Sequence, residues 1–156
     1  MAERDGRSDR IGRIEKDAGI DRCVECGRCT AVCPMAEMYV NFSIAMSPRG
    51  IIKKALTGEA LAADRNLWYC TECNAGTEAC PQRVSCRDLV RGLRRLVLEE
   101  GKAEGMSLCP SCGGPFLALP VEEFVLGRLK DEPPNVQKWL KLCPACRREG
   151  YLKRNA

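Results

Sequence analysis

The run CVECGRCTAVCP, residues 23–34, sets cysteines at offsets 0, 3, 6 and 10 and closes on a proline. Two residues between successive thiolates let a chain loop around a cubane, so that three sulfurs reach three iron atoms; in two-cluster proteins the fourth cysteine of such a run ligates the other cluster. A near-copy, CTECNAGTEACPQ, begins at Cys70, but Gly76 stands where its third cysteine is due. The chain has 12 cysteines and no histidine. Any soft-metal site must therefore be built from thiolates, with at most an oxygen donor added.

By the exchange rule, Cys23, Cys26 and Cys29 hold cluster A together with Cys80, the last cysteine of the second run. Cys33, Cys70 and Cys73 remain for cluster B. Three thiolates suit a three-iron cluster, or a four-iron cluster whose last iron takes water, an oxygen side chain or a remote cysteine. Cys86 is the remote candidate, six residues past Cys80. Its competing reading is a small apolar residue buried at a helix start, since free cysteine is among the most buried types. Two independent zinc knuckles are the bland alternative for the whole pattern, and zinc sites seldom combine these four offsets.

Spacing also decides between a metal protein of a reducing compartment and a disulfide scaffold of an oxidising one. The N-terminus MAERDGRSDRIGRIEKDAG mixes both charge signs without an apolar stretch, and no later run approaches membrane-spanning length. The expectation is a cytoplasmic protein with no direct membrane insertion, sensitive to air and so suited to anaerobic handling. The formal charge of +4 counts the cysteines as neutral. A four-thiolate cluster or zinc site carries about −2, so the loaded chain comes near neutrality and its basic residues offset buried anions rather than bind nucleic acid.

The fold class expected is mainly α. Residues 1–20 read as a charged, frayed arm with a short helix around Ile11 and Ile14; residues 21–101 read as an α-helical ferredoxin domain with two iron–sulfur clusters. Between the runs, Ser47 can cap a helix that opens on Pro48, takes its apolar face from Ile51, Ile52, Ala55 and Leu56 and can end at Gly58. After the second run, Ser85 and Asp88 have capping-box spacing before Leu89, Val90, Leu93, Leu96 and Val97, which recur at helical intervals up to Gly101. Arg87, Arg91, Arg94 and Arg95 on this helix read as a solvated or docking face. The stretch GKAEGMS, residues 101–107, reads as a linker to a small module over 107–156.

That module carries CPSCGG and CPAC, so that Cys109, Cys112, Cys143 and Cys146 supply a tetrahedral thiolate site. Zinc is the expected metal of this zinc-ribbon-like site of four cysteines, with rubredoxin-like iron the alternative for the same ligands. Val121, Phe124, Val125 and Leu129 fall in a helix of the insert. With Trp139 and Leu140 they are expected to form the module's core, or a docking surface for a partner.

Four stretches, RCVECGRCTAVCP, SPRGIIKKALTGEA, LWYCTECNAGTEACPQ and LVRGLRRL, resemble the C subunit of heterodisulfide reductase over about residues 11–100. The resemblance implies an all-helical ferredoxin-type carrier with two [4Fe-4S] clusters, relaying electrons between a flavin- and cluster-bearing A subunit and a disulfide-reducing B subunit. The chain departs from that family at Gly76, which leaves the second cluster as either [4Fe-4S] or [3Fe-4S]. The iron–sulfur subunit of succinate dehydrogenase is similar in fold and carries a three-iron centre on an incomplete second run. No catalytic base or nucleophile is visible, so the expected role is non-catalytic electron transfer within an oxidoreductase. Two other roles compete with it: the iron–sulfur subunit of a quinone-linked flavin dehydrogenase, and a zinc-only interaction or nucleic-acid-binding protein, against which the few aromatics and the cubane spacing both speak.

Overall fold

The structure, a computed structural model, describes Ala2 to Arg154, with side chains from Gly6 to Lys153. Nine α-helices and one two-stranded sheet occupy the described residues: α1 (Ala2–Ala18), α2 (Arg28–Ala31), α3 (Met35–Met38), α4 (Pro48–Leu56), α5 (Ala75–Glu78), α6 (Cys86–Glu99), β1 (Met106–Leu108), β2 (Pro115–Ala118), α7 (Leu119–Arg128), α8 (Pro134–Leu140) and α9 (Pro144–Arg154). The chain divides into two units at residues 102 and 103.

The first unit, in its described residues, is entirely helix, turn and loop. Its core forms where α6 lays the stripe Cys86, Leu89, Val90, Leu93, Leu96 and Val97 against its neighbours. These positions recur at the three- and four-residue intervals of one helix face. Ile51, Ile52 and Ala55 of α4 meet that stripe, joined by Leu61, Leu67 and Val84 from the connecting segments. Leu93 is fully enclosed. Its replacement by alanine is expected to lower stability by about 2–5 kcal/mol, the usual cost of a buried leucine with its residual cavity. Anaerobic denaturant unfolding of the loaded protein measures it, and a loss under about 1 kcal/mol, half the low end of that range, would contradict the packing described.

Both helix starts follow the sequence expectation. The Ser47 hydroxyl accepts a hydrogen bond from the Gly50 N–H at 3.1 Å ahead of Pro48. The Ser85 hydroxyl accepts from the Asp88 N–H at 3.2 Å and donates to the Asp88 carboxylate at 2.7 Å. The second half of a capping box is missing, because the Ser85 N–H donates instead to the Ala18 carbonyl at 2.9 Å. That bond ties the end of α1 to the start of α6.

The N-terminal segment is where the structure departs most from expectation. A long helix, α1, replaces the frayed arm with its short helix around Ile11 and Ile14. Its apolar side chains are few, yet Ile11 and Ile14 pack against the core. Gly92 makes the crossing possible: a Cβ there would lie 2.7 Å from the Ile14 Cγ2. Arg7 pairs with Glu100 at 2.6 Å, a part-buried contact, and Arg10 with Glu99 at the surface, where such a pair adds little stability.

The arginine face of α6 is also only partly solvated. Arg94 is 12 % exposed and turns inward. It donates to the Leu67 carbonyl at 2.6 Å and the Cys70 carbonyl at 2.7 Å, pairs with Glu72 at 3.0 Å, and stands 5.4 Å over the Trp68 ring. Arg94 thus ties the second cysteine run to α6.

In the second unit β1 and β2 pair antiparallel, with Met106 opposite Ala118, and α7 follows β2 directly. The strand begins inside the stretch expected to be linker. Val121, Phe124 and Val125 lie on α7 as expected, and Leu129 closes it. They do not form a buried core: no residue of α7 or α8 is fully buried, and the buried residues among those described in this unit are Ser107, Cys109, Ala118 and Cys143. Some fifty residues bury too small a share of their surface to build an ordinary core.

Candidate metal centres

The two cysteine runs fold alike, residue for residue. Glu25 and Glu72 both take positive φ, 50° and 54°, as do Gly27 and Asn74, 80° and 68°. A short helix follows each, α2 and α5, opened by the same bonds: Thr30 N–H to the Gly27 carbonyl at 3.0 Å, and Thr77 N–H to the Asn74 carbonyl at 2.9 Å. Left-handed backbone is unfavourable for glutamate, and such strain persists only where surroundings impose it. Each glutamate is held by arginine from a neighbouring helix. Glu25 pairs with Arg49 of α4 at 3.2 Å, and Glu72 with Arg91 and Arg94 of α6, each at 3.0 Å.

The runs wrap two cavities. The first is walled by Cys23, Cys26 and Cys29 from the first run and by Cys80 from the second. The other is walled by Cys70 and Cys73 of the second run, by Cys33 of the first, and by Gly76 and Asn74. Cys86 lines both. Cys26 and Cys73 are exposed, Cys33 and Cys86 are buried, and the other four thiols lie between those extremes.

Hydrogen-bond donors point at the sulfurs. The Val84 N–H donates to the Cys80 Sγ at 3.3 Å and the Glu72 N–H to the Cys70 Sγ at 3.4 Å. Burial pushes the Cys29, Cys33 and Cys70 thiols upward, and neighbouring sulfurs add to it: Cys23 and Cys80 act on Cys29, Cys73 on Cys33, and Cys33 on Cys70. A bound cation reverses that balance and favours thiolates.

Iron–sulfur clusters fit this donor set. Thiols surround each cavity, amides are aimed at sulfur, and the sulfurs stand too far apart to share one ion. Among the described residues, only Cys109, Cys112, Cys143 and Cys146 bring three or more possible ligand atoms within 4.8 Å of one another. One polar atom of the second cavity's wall is unsatisfied. The Asn74 Oδ1 is buried with no hydrogen-bond partner among the described residues, while its Nδ2 donates to Glu78 at 3.0 Å.

The second unit gathers its own four sulfurs. Cys109 follows β1, and a turn through Gly113, at φ 71°, brings Cys112 back beside it. Cys143 precedes α9, and Cys146 sits in that helix's first turn. The Cys112 and Cys143 sulfurs are 3.8 Å apart. A tetrahedral ion with metal–sulfur bonds of about 2.3 Å has edges of about 3.8 Å. The Cys143 N–H donates to the Cys109 Sγ at 3.3 Å and is the main reason that thiol falls to about 6.

Two thiol-lined cavities on one helical scaffold define an iron–sulfur protein of the ferredoxin type. The chain belongs to the 4Fe-4S dicluster domain family, whose pattern matches residues 5–84. Among curated relatives it is 34 % identical over 96 residues to a protein of Archaeoglobus profundus named as like the C subunit of heterodisulfide reductase, covering 58 % of this chain and 49 % of the relative. It is also 34 % identical over 90 residues to the C subunit of the ferredoxin:CoB-CoM heterodisulfide reductase of Methanosarcina acetivorans, covering 57 % and 34 %. A probable membrane-anchored ferredoxin of Chromohalobacter salexigens is 33 % identical over 120 residues, covering 56 % and 18 %. The chain thus spans half or less of the length of these relatives. No helix among the described residues is long and apolar enough to cross a membrane.

Proposed function

We propose that this chain is the electron-relay subunit of a heterodisulfide-reductase-like complex, passing electrons between a flavin- and cluster-bearing subunit and a disulfide-reducing one. The observation that carries the reading is the pair of cavities meeting at Cys86, each reaching the surface at one exposed cysteine. Cys23, Cys26, Cys29 and Cys80 would hold one cluster, and Cys33, Cys70 and Cys73 the other. When bound, such clusters supply one-electron storage at potentials tuned by charge, hydrogen bonds and exposure.

The protein's own contribution is positional. Arginines pair with the strained glutamates of both loops, and the exposed Cys26 and Cys73 offer an edge of each cavity to partner chains. Cys109, Cys112, Cys143 and Cys146 would hold zinc, a closed four-sulfur site suited to structure and not to relay. Residues 107–156 would form a module distinct from the 21–101 relay domain. Twelve unpaired cysteines favour a reducing, cytoplasmic setting.

Anaerobic purification from the native cell, with identification of the co-purifying chains, tests the role. A flavin-bearing chain together with a cysteine-rich disulfide-reducing chain is the expected result. A membrane anchor and no such partner would instead favour service to a quinone. Protein carrying zinc without iron or sulfide would end the relay reading.

A further inference from the structure

We propose that Cys86 supplies the fourth sulfur of the second cluster, standing in from the start of α6 for the thiolate that Gly76 cannot offer. The assignment rests on the two-cluster reading of this unit and specifies it further.

Two observations converge on Cys86. It is 4 % exposed and shares a cavity wall with Cys33, Cys70, Cys73 and Gly76. Its Sγ lies 3.8 Å from the Pro48 carbonyl, and a Cβ built on Gly76 would stand 3.6 Å from the Pro48 Cγ. The same residue therefore borders both the Cys86 sulfur and the space a side chain at 76 would enter.

The close approach at 76 gives the exchange a physical basis. That Cβ would also stand 3.2 Å from the Cys29 Cβ, tighter than ordinary carbon contacts. Glycine leaves Cys29 undisturbed in the first cavity, and Cys86 at the start of α6 brings a sulfur to the same cavity wall. The first cavity has four thiols without Cys86, so only the second is short of one. The Cys86 thiol makes a long S–H···O approach to the Pro48 carbonyl, which a bond to iron would replace. The competing donor on the same wall is the unpartnered Asn74 Oδ1, a hard oxygen where iron–sulfur chemistry prefers soft sulfur.

The test uses the full chain loaded anaerobically, with iron and sulfide assays and electron paramagnetic resonance. Wild type is expected to hold four irons in each cluster and to show no three-iron signal after mild oxidation. In Cys86→Ala the three-iron signal should develop on oxidation, with iron falling by about one per chain and the first cluster's spectrum unchanged. Cys86→Ala with unaltered iron content and spectrum would overturn the assignment, as would a three-iron centre in wild type; loss of the fourth iron in Asn74→Ala instead would give the position to the amide. Should Cys86→Ala disturb both clusters, near-isosteric Cys86→Ser decides: a second-cluster spectrum identical to wild type rejects the proposal, and a shifted one with the first cluster intact supports it. A chain that takes up no iron or sulfide sinks the two-cluster reading itself, whereas two intact clusters indifferent to Cys86 sink only this assignment.

Discussion

Cys80→Ser is expected to abolish or convert the cluster of the first run, although Cys80 belongs to the second. Chain proximity alone would place Cys80 with its own run, since it is seven residues past Cys73 and 51 past Cys29. The fold reverses that proximity. Cys80 walls the cavity of Cys23, Cys26 and Cys29, its charge reaches the Cys29 thiol, and its sulfur is fixed by the Val84 N–H at 3.3 Å. Cys33 makes the reciprocal crossing and stands with Cys70 and Cys73. Removing one of four thiolates from a cubane site costs an iron or the whole cluster, so iron should fall by up to about half.

Fingerprints from the exposed cysteines make this measurable. Cys26→Ser marks the first cluster and Cys73→Ser the second, each on a surface loop where the change leaves the core alone. The reduced-state resonance spectrum of Cys80→Ser should then match the defect of Cys26→Ser and leave the other signal standing. Cys33→Ser should match Cys73→Ser. A Cys80→Ser spectrum that reproduces the Cys73→Ser defect would mean each run holds its own metal, and the crossed assignment would fail.

The crossed assignment could be proposed from the sequence because offsets within a run are short-range facts, and a cubane demands them. The caps at Ser47 and Ser85 and the apolar stripe of α6 were legible for the same reason: each depends on residues within one or two turns. What escaped is tertiary. Nothing near Ile14 says that Gly92 leaves it room, so α1 read as an arm. Arg94 sits on a helix with three other arginines, and only the fold brings the Leu67 and Cys70 carbonyls and the Trp68 ring to it. Positive φ at Glu25 and Glu72 breaks the ordinary preference of glutamate, and the arginines that pair with these side chains, Arg49, Arg91 and Arg94, lie 19 to 24 residues away. The 47-residue repeat held the one usable signal, since a glutamate recurs just before the second cysteine of each run.

The C-terminal unit is expected to unfold when its metal is withdrawn, while the first unit keeps its clusters. Its fully buried residues, among those described, are only four, two of them cysteines of the proposed site, so little apolar burial remains to offset chain entropy once the ion is gone. Structural zinc in comparable finger-sized folds contributes about 10–16 kcal/mol of apparent binding free energy at neutral pH, which exceeds the whole stability of a typical small domain. Because chelators strip iron as well, Cys143→Ser is the cleaner probe: it removes a buried sulfur that stands 3.8 Å from the Cys112 sulfur and accepts the Cys146 N–H at 3.4 Å. Limited proteolysis under anaerobic conditions should then cut within residues 103–156 at least tenfold faster, roughly the effect of losing 1.4 kcal/mol of local stability and a lower bound here. Cluster absorbance should stay unchanged. If Cys143→Ser resists protease as well as wild type, this unit holds itself together by packing, and the four sulfurs would need another purpose.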